Sequence, residues 1–150
     1  MSLHIGIDLG TSGIKAVLIE DLSRVIAVAA QPVAVSRPKV GYSEQDADLW
    51  VGTVFSCLDR LAAEAPREMA AVFGIGLSRQ MLAPLILDKD LRPLRPAMLW
   101  NDQRALAECA ELLAAVPDIG QRTNGTPDPG ITALKLMWLR KHEPALMDRA

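Results

Sequence analysis

Short runs of alternating apolar and small or polar residues open the chain. The pattern covers His4 to Asp8, Ile14 to Glu20 and Val25 to Gln31. A period of two predicts β-strands with one buried face, so three consecutive strands are expected. The GTSG stretch between the first two runs predicts a tight hairpin whose glycines adopt backbone angles that other residues resist. The EDLSR stretch after the second run predicts a longer polar turn.

Helical spacing replaces this alternation from Trp50 onward. Apolar residues between Trp50 and Leu61 recur at intervals of three and four, which predicts a helix that ends near Glu64. Ser43 and Asp46 precede the first of these residues, and either could cap the helix.

The second half of the chain mixes short apolar runs, loops and two further helices. Val72 to Leu77 is predicted to form a buried strand and Pro84 to Leu87 a short strand, while helices are expected after Asp102 and after Thr132. The GQRTNGTPDPG stretch holds too many Gly, Pro and Asp residues for regular structure. Strands followed by mixed strands and helices predict an α/β domain with a mixed sheet and flanking helices. Because no completing strand precedes Ala150, the domain is expected to be incomplete.

Composition narrows the class of protein. The chain has 150 residues, 50% hydrophobic and 23% charged, enough for one globular domain with a core. Its 16 basic and 18 acidic residues are spread evenly, so neither nucleic acid nor an anionic membrane is expected as a partner. Cys57 and Cys109 lack metal-site spacing and are expected to be buried thiols. Without a signal peptide or a long apolar window, a cytoplasmic protein is expected.

Asp8 stands directly before the glycine-rich turn. A hairpin that presents successive backbone N–H groups forms a concave anion site, and Thr11 and Ser12 add hydroxyl donors beside it. Asp8 repels phosphate but can hold a Mg²⁺ that bridges to phosphate oxygens. Nucleotide motifs that need a helix after the glycines do not fit, because this chain continues as a strand. A plain hairpin with a solvated aspartate fits the spacing equally well.

Five stretches, in order, resemble one protein family. GIDLGTSGIKAVL (6–18) resembles the first phosphate motif of the sugar kinase, hsp70 and actin superfamily, and more closely that of the FGGY carbohydrate kinases. The other four are GYSEQDADLW (41–50), GLSRQM (76–81), RPAMLWNDQR (95–104) and ALKLMWLRKHEP (133–144). Together they cover nearly the whole chain, and the nearest likeness within the family is to xylulokinases.

The resemblance implies an ATP-dependent kinase of two lobes, each built on a ribonuclease H-like α/β core. Residues 1–150 would form the N-terminal portion of the first lobe, with the rest of that lobe and the nucleotide-binding second lobe outside it. Asp8 would organise Mg²⁺ and the phosphates, and the hairpin of Gly10, Thr11, Ser12 and Gly13 would face the transferring γ-phosphate. The catalytic base would be an aspartate beyond Ala150, so these residues alone are expected to be inactive.

The resemblance also assigns sugar contacts. In the family the pair after the glutamine of the loop contacts the sugar, which here implies Met81 and Leu82 after Gln80. Xylulokinases usually carry histidine at the second position of the pair. Leu82 cannot form a hydrogen bond through its side chain, which leaves the identity of the sugar open.

The Trp-Asn-Asp segment carries the remaining candidates for the sugar site. Trp100 could stack on the C–H face of a sugar, or it could close the core as buried tryptophans commonly do. Asn101 and Asp102 could each bind hydroxyl groups or cap the following helix; Asp102 is well placed for the cap, and Asn101 is the better candidate for the site. Lys15 lies where actin-like relatives contact phosphate, but an exposed lysine is the better interpretation.

The resulting expectation is Mg²⁺- and ATP-dependent phosphorylation of a small sugar, first of all a ketopentose such as xylulose. The alternatives are a kinase for another ketose or for a polyol such as glycerol or erythritol, an actin-like or chaperone-type ATPase, and a binding-only module. The expected partner is a small-molecule sugar, and the likeness leaves room for a homodimer of the full-length protein.

Overall fold

The computed structural model describes residues 2–150, which form two compact units. The first unit takes in residues up to 35 and residues 48–80, and the second takes in residues 36–47 and 81–150. In chain order the elements are β1 (Leu3–Leu9), β2 (Gly13–Glu20), β3 (Arg24–Pro32), β4 (Glu44–Gln45), α1 (Ala47–Glu64), α2 (Pro66–Ala70), β5 (Val72–Arg79), β6 (Ala97–Met98), α3 (Leu106–Ala115), α4 (Ile119–Thr123), α5 (Thr132–His142) and α6 (Pro144–Met147).

A four-stranded mixed sheet forms the first unit, in the order β3-β2-β1-β5. The pairs β1–β2 and β2–β3 are antiparallel, whereas β1 and β5 run parallel. The three predicted opening strands and the mixed α/β sheet are thereby confirmed. The second turn is tighter than expected, because Asp21 and Leu22 both adopt positive φ and the Ser23 N–H donates to the carbonyl of Glu20 at 3.1 Å.

The first hairpin needs its glycines for a reason other than the predicted one. The Gly10 N–H donates to the carbonyl of Gly13 at 3.0 Å, and neither residue has a positive φ. A Cβ on Gly10 would lie 2.9 Å from the carbonyl oxygen of Gly13, and one on Gly13 would lie 2.7 Å from that of Gln31. The close approach of backbone atoms therefore excludes a side chain, and the prediction of unusual backbone angles was wrong.

Helix α1 covers one face of this sheet. It ends at Glu64 as predicted, and Asp46 directly precedes it. On β2 the buried residues alternate with exposed or half-buried ones, as a period of two requires. The core cluster joins them to buried residues of α1, among which Cys57 is a free thiol with no exposed surface. Cys57 is buried as predicted, and burial raises the pKa of its thiol, which favours the neutral form.

Strand β5 is exposed, contrary to the prediction of a buried strand. Its apolar residues Phe73, Ile75 and Leu77 are 84%, 61% and 67% exposed, and only Val72 contacts the core cluster. Among residues 2–150 it pairs with β1 alone, and the buried strand residues of the core cluster belong to β1, β2 and β3. An apolar run predicts a strand but does not reveal its position in the sheet.

The second unit combines a two-stranded antiparallel pair with four helices. Strand β4 pairs with β6 through Glu44 and Met98. Residues 84–87 form no strand, because prolines 84 and 93 remove ladder donors and only an isolated bridge joins Leu87 to Pro93. The stretch expected to be irregular contains the short helix α4, which Asn124 ends in the left-handed conformation. Within residues 2–150, no helix combines the length and apolar character that crossing a bilayer requires.

Candidate functional site

Asp8 lies near the end of β1 on the face of the sheet opposite the core. Its register partners are Lys15 on β2 and Ser78 on β5, and all three line an open groove of about 580 Å³ in the first unit. Both Asp8 and Lys15 are exposed. Alternation along β1 places the buried Ile7 on the other face, so the carboxylate points away from the hydrophobic core. Asp8 is therefore accessible to a ligand.

The surroundings of Asp8 suit a metal ion shared with a ligand rather than a metal cage. Residues 2–150 contain no group of three or more His, Cys, Asp or Glu side chains that could hold an ion. A Cβ on Gly10 would lie 3.8 Å from Oδ2 of Asp8, so glycine leaves space beside the carboxylate. Mg²⁺ is commonly held by one or two carboxylates plus phosphate oxygens and water. A single exposed carboxylate beside an open turn fits that mode.

The hairpin is joined to the predicted sugar loop by side-chain and backbone hydrogen bonds. The Thr11 hydroxyl donates to Oε1 of Gln80 at 2.9 Å, and the Gln80 N–H donates to the carbonyl of Leu9 at 3.0 Å. A hydroxyl has one proton, so that of Thr11 is committed to Gln80. Ser12 is exposed and lines a second groove, of about 380 Å³. Ser12 thus presents the accessible hydroxyl of the turn.

The other predicted sugar contacts lie in the second unit. Met81, Leu82 and Trp100 are 74%, 42% and 51% exposed. The exposure of Trp100 is at odds with its alternative interpretation as a core residue. Leu82 has φ +59°, a left-handed conformation that is uncommon for bulky side chains. Asn101 is half-buried, and its Oδ1 accepts no hydrogen bond from the described residues, so this atom has capacity for water or a polar ligand.

Asp102 does not cap a helix, contrary to prediction, because α3 begins only at Leu106. Its buried carboxylate accepts hydrogen bonds from the backbone N–H of Ser43 at 2.7 Å and from the Arg104 guanidinium at 2.7 Å and 2.9 Å. Burial opposes ionisation of this carboxyl, but the hydrogen bonds from Arg104 and Ser43 outweigh it and hold the pKa of Asp102 below its usual value. Asp102 is a structural anion.

A network of buried ion pairs surrounds Asp102. The sequence patterns did not predict it. Glu44 of β4 lies 2.6 Å from Arg104 and 2.5 Å from Arg95, and Arg95 also pairs with Glu143 at 2.8 Å. The Arg104 guanidinium lies over the ring of Tyr42, 3.8 Å from its centroid. These contacts join two of the stretches that resemble the family, 41–50 and 95–104, through residues about 60 positions apart in the chain.

Lys135 is buried without any exposed surface. Its Nζ donates to the carbonyl of Leu82 at 2.8 Å and to that of Leu99 at 2.6 Å, and the carbonyl of Met98 lies at 3.5 Å. Burial lowers the pKa of the Lys135 ammonium to about 8. A lysine within an apolar helical run gave no sequence signal for this role.

Gly130 packs closely against the backbone of Trp100, next to the carbonyl of Leu99 that Lys135 binds. A Cβ on Gly130 would lie 2.2 Å from the carbonyl oxygen of Trp100 and 2.8 Å from Oδ1 of Asp128. The Asp128 carboxylate also accepts a hydrogen bond from the Gly130 N–H at 2.8 Å. Only glycine allows this approach, so the position of Trp100 depends on a residue that sequence reasoning assigned to an irregular stretch.

Known proteins resemble this chain over nearly all of its length. Residues 3–150 match the model of the FGGY family of carbohydrate kinases, N-terminal domain. A xylulose kinase from Klebsiella pneumoniae is 40% identical over 147 residues, which cover 98% of this chain and 30% of that protein. A glycerol kinase from Bradyrhizobium sp. (strain ORS 278) is 31% identical over 156 residues, which cover 100% of this chain and 31% of that protein.

A solved structure shows the same fold. That of a xyloylose kinase from Brucella ovis matches with a TM-score of 0.93 and 41% identity, over 98% of this chain and 31% of that chain. The chain thus spans about 30% of the length of the curated relatives it matches.

Proposed function

The chain belongs to the FGGY family of carbohydrate kinases, and on this premise we propose that it provides the metal, phosphate and part of the sugar site of an ATP-dependent sugar kinase. The observation that carries the proposal is the position of Asp8, exposed in a groove directly before a hairpin that tolerates no Cβ at Gly10 or Gly13. In this proposal, residues 1–150 are the N-terminal portion of the first of two lobes.

The phosphate side of the site is assigned to β1 and the first hairpin. Asp8 would hold Mg²⁺, directly or through water, and such an ion would supply neutralisation of the phosphate charge. The backbone of Gly10 to Gly13 would face the γ-phosphate, and Ser12 would provide a hydroxyl donor. Thr11 contributes by orienting Gln80, because its hydroxyl proton is committed there. The role of these groups is positioning and charge neutralisation.

The sugar side is assigned to Gln80, Met81, Leu82, Trp100 and Asn101. The exposed indole of Trp100 provides an apolar surface for the C–H face of a sugar, and Asn101 provides an amide for its hydroxyl groups. Leu82 offers neither a donor nor an acceptor through its side chain. A substrate hydroxyl directed at Leu82 would have to find its partner elsewhere, since an unpaired buried polar group costs about 1–3 kcal/mol.

The preferred substrate is a ketopentose such as xylulose, because the most similar relatives named above carry that activity in their names. A polyol such as glycerol is the second candidate, favoured by the apolar Leu82 and by the 31% identity to a glycerol kinase. The enzyme is proposed to act in the cytoplasm, where ATP is available.

The test follows ADP release by the polypeptide that the gene encodes, with Mg-ATP and a panel of xylulose, ribulose, other ketoses, glycerol and erythritol. Release that depends on one substrate, with a matching phosphorylated product, is the expected result. Sugar-independent ATP hydrolysis would instead point to a switch-type ATPase. Binding of ATP and sugar by the folded protein without any phosphorylated product would point to a binding module, and either result would overturn the proposal.

A further inference from the structure

The buried ammonium of Lys135 is engaged by backbone carbonyl groups. It lies in the second unit, with the carbonyl oxygens of Leu82 and Leu99 within 2.8 Å and 2.6 Å of its Nζ. An ammonium group has three donors and no acceptor, and its burial is costly unless those donors are used. A neutral side chain of similar length would fill the same space at lower cost. The carbonyl contacts therefore need an explanation beyond packing.

The first of these carbonyls belongs to a strained loop residue. Leu82 has φ +59°, and a bulky residue keeps this conformation only where its surroundings restrain it. The hydrogen bond from Lys135 to the Leu82 carbonyl is such a restraint, because it fixes the plane of the peptide group that follows Leu82. The exposed side chains of Met81 and Leu82 are oriented by the same stretch of backbone.

The second carbonyl immediately precedes Trp100 and Asn101. By holding the Leu99 carbonyl, Lys135 fixes the peptide group that leads into Trp100. The carbonyl of Trp100 is in turn packed against Gly130, where no Cβ could be accommodated. One short segment of chain, from Gly130 to Lys135, thus contacts both backbone segments, 81–82 and 99–101, that carry Met81, Leu82, Trp100 and Asn101.

We propose that Lys135 is a positioning residue for the sugar substrate: it holds the loop of Met81 and Leu82 and the turn of Trp100 and Asn101 in one fixed arrangement through their backbone. Its ammonium group is buried and acts through these carbonyls without touching the sugar. This inference rests on the proposed function of the same site.

The test compares Lys135→Met with the wild-type full-length enzyme. Removal of the ammonium donors should leave the backbone segments 81–82 and 99–101 free to move. KM for the sugar should rise at least about tenfold and kcat/KM for the sugar should fall about 100-fold, the size of effect that a misplacement of about 1 Å can have. KM for Mg-ATP should change by less than about twofold, because the phosphate hairpin keeps its own contacts. Arg140→Met, which removes an exposed charge from the same helix, should leave all three constants unchanged.

A binding measurement and a second variant keep the test decisive. The rise in Tm that saturating sugar produces should shrink in Lys135→Met, since weaker binding stabilises the folded state less. Lys135→Gln retains an NH₂ group and most of the side-chain volume, so it should fold even if Lys135→Met does not. Its KM for the sugar should lie between those of the wild-type enzyme and Lys135→Met.

The outcomes separate the two proposals. An active wild-type enzyme whose folded Lys135→Met or Lys135→Gln variant keeps its sugar KM within about twofold would overturn the positioning role alone. An equal rise in KM for the sugar and for Mg-ATP would also overturn the positioning role, because such a result would indicate a general structural role of Lys135. A wild-type enzyme without sugar-dependent ADP release would instead overturn the proposed function.

Discussion

Thr11 and Gln80, assigned to opposite sides of the proposed reaction, are directly hydrogen-bonded. The Thr11 hydroxyl donates to the side-chain carbonyl of Gln80 at 2.9 Å, and the backbone of Gln80 is held by Leu9 at the end of β1. The turn assigned to phosphate and the start of the loop assigned to the sugar are therefore linked within the first unit. A change at one of these residues should be felt by both substrates.

Thr11→Val tests this link, because valine keeps the shape of threonine and removes the hydroxyl. Loss of one part-buried hydrogen bond should lower the free energy of unfolding by about 1 kcal/mol. KM should rise for both Mg-ATP and the sugar, as steady-state kinetics with each substrate varied in turn can measure. Thr11→Ser keeps the hydroxyl and should retain most of the wild-type behaviour. A change confined to one substrate would show that the hydrogen bond does not couple the two.

Gly10→Ala and Gly13→Ala test whether the hairpin excludes side chains for steric reasons. Their Cβ atoms would lie 2.9 Å and 2.7 Å from backbone carbonyl oxygens, which cannot move without distorting the strands. Overpacking of this kind should destabilise the protein by about 1–3 kcal/mol in urea unfolding. Gly52→Ala is the matched control, because its Cβ would meet nothing within 4 Å on α1, and it should stabilise by about 0.5–1 kcal/mol. Neutral hairpin variants would refute the steric argument.

Arg104→Met tests the buried ion network. The Arg104 side chain is 2% exposed, and loss of its guanidinium leaves the carboxylates of Asp102 and Glu44 without their shared partner. Removal of one partner from a buried ion pair costs about 3–5 kcal/mol, which chemical denaturation should detect. Arg122→Met removes an exposed pair with Asp118 and should change stability by less than about 0.5 kcal/mol. If both substitutions lowered the free energy of unfolding equally, the network would stabilise the protein no more than an exposed ion pair does.

The pH dependence of stability should carry a contribution from Asp102. Its pKa is lowered in the folded state, so the unfolded chain binds the proton more readily in acid. The stabilisation is therefore complete above the ordinary aspartate pKa of about 3.9 and is lost as the pH falls through the lower folded-state value. Asp102→Asn should weaken the fall in unfolding free energy between about pH 5 and pH 2. An unchanged slope would show that Asp102 does not contribute.

Local patterns predicted the elements that depend on neighbouring residues. The three opening strands and α1 follow from periods of two and about 3.6, which the sequence displays without any knowledge of the fold. The resemblance of five short motifs then indicated the family. The same reasoning could not place β5 at a sheet edge, because strand order depends on contacts with distant residues.

The structural roles of single polar residues were the hardest to predict. The local sequence around Asp102 predicts a helix cap. Its carboxylate instead accepts a hydrogen bond from Ser43, and its partner Arg104 also binds Glu44, each contact spanning about 60 residues. Lys135 reads as an ordinary helical lysine, yet it is buried against the carbonyl of Leu82, 53 residues away. Helix α3 buries Glu108 and leaves Leu106 exposed, which a count of apolar residues would reverse. Such pairings depend on tertiary structure.

The most direct measurement compares sugar-dependent ADP release by the full-length wild-type enzyme with that of Asp8→Ala and Asp59→Ala. Asp8 and Asp59 are both exposed, so neither substitution should unfold the protein, and thermal unfolding of each variant checks this point. The proposed metal role predicts that Asp8→Ala loses at least about 100-fold in kcat, since charge neutralisation accounts for much of phosphoryl transfer, whereas Asp59→Ala retains wild-type activity. A folded Asp8→Ala enzyme with wild-type kcat would contradict the proposed site.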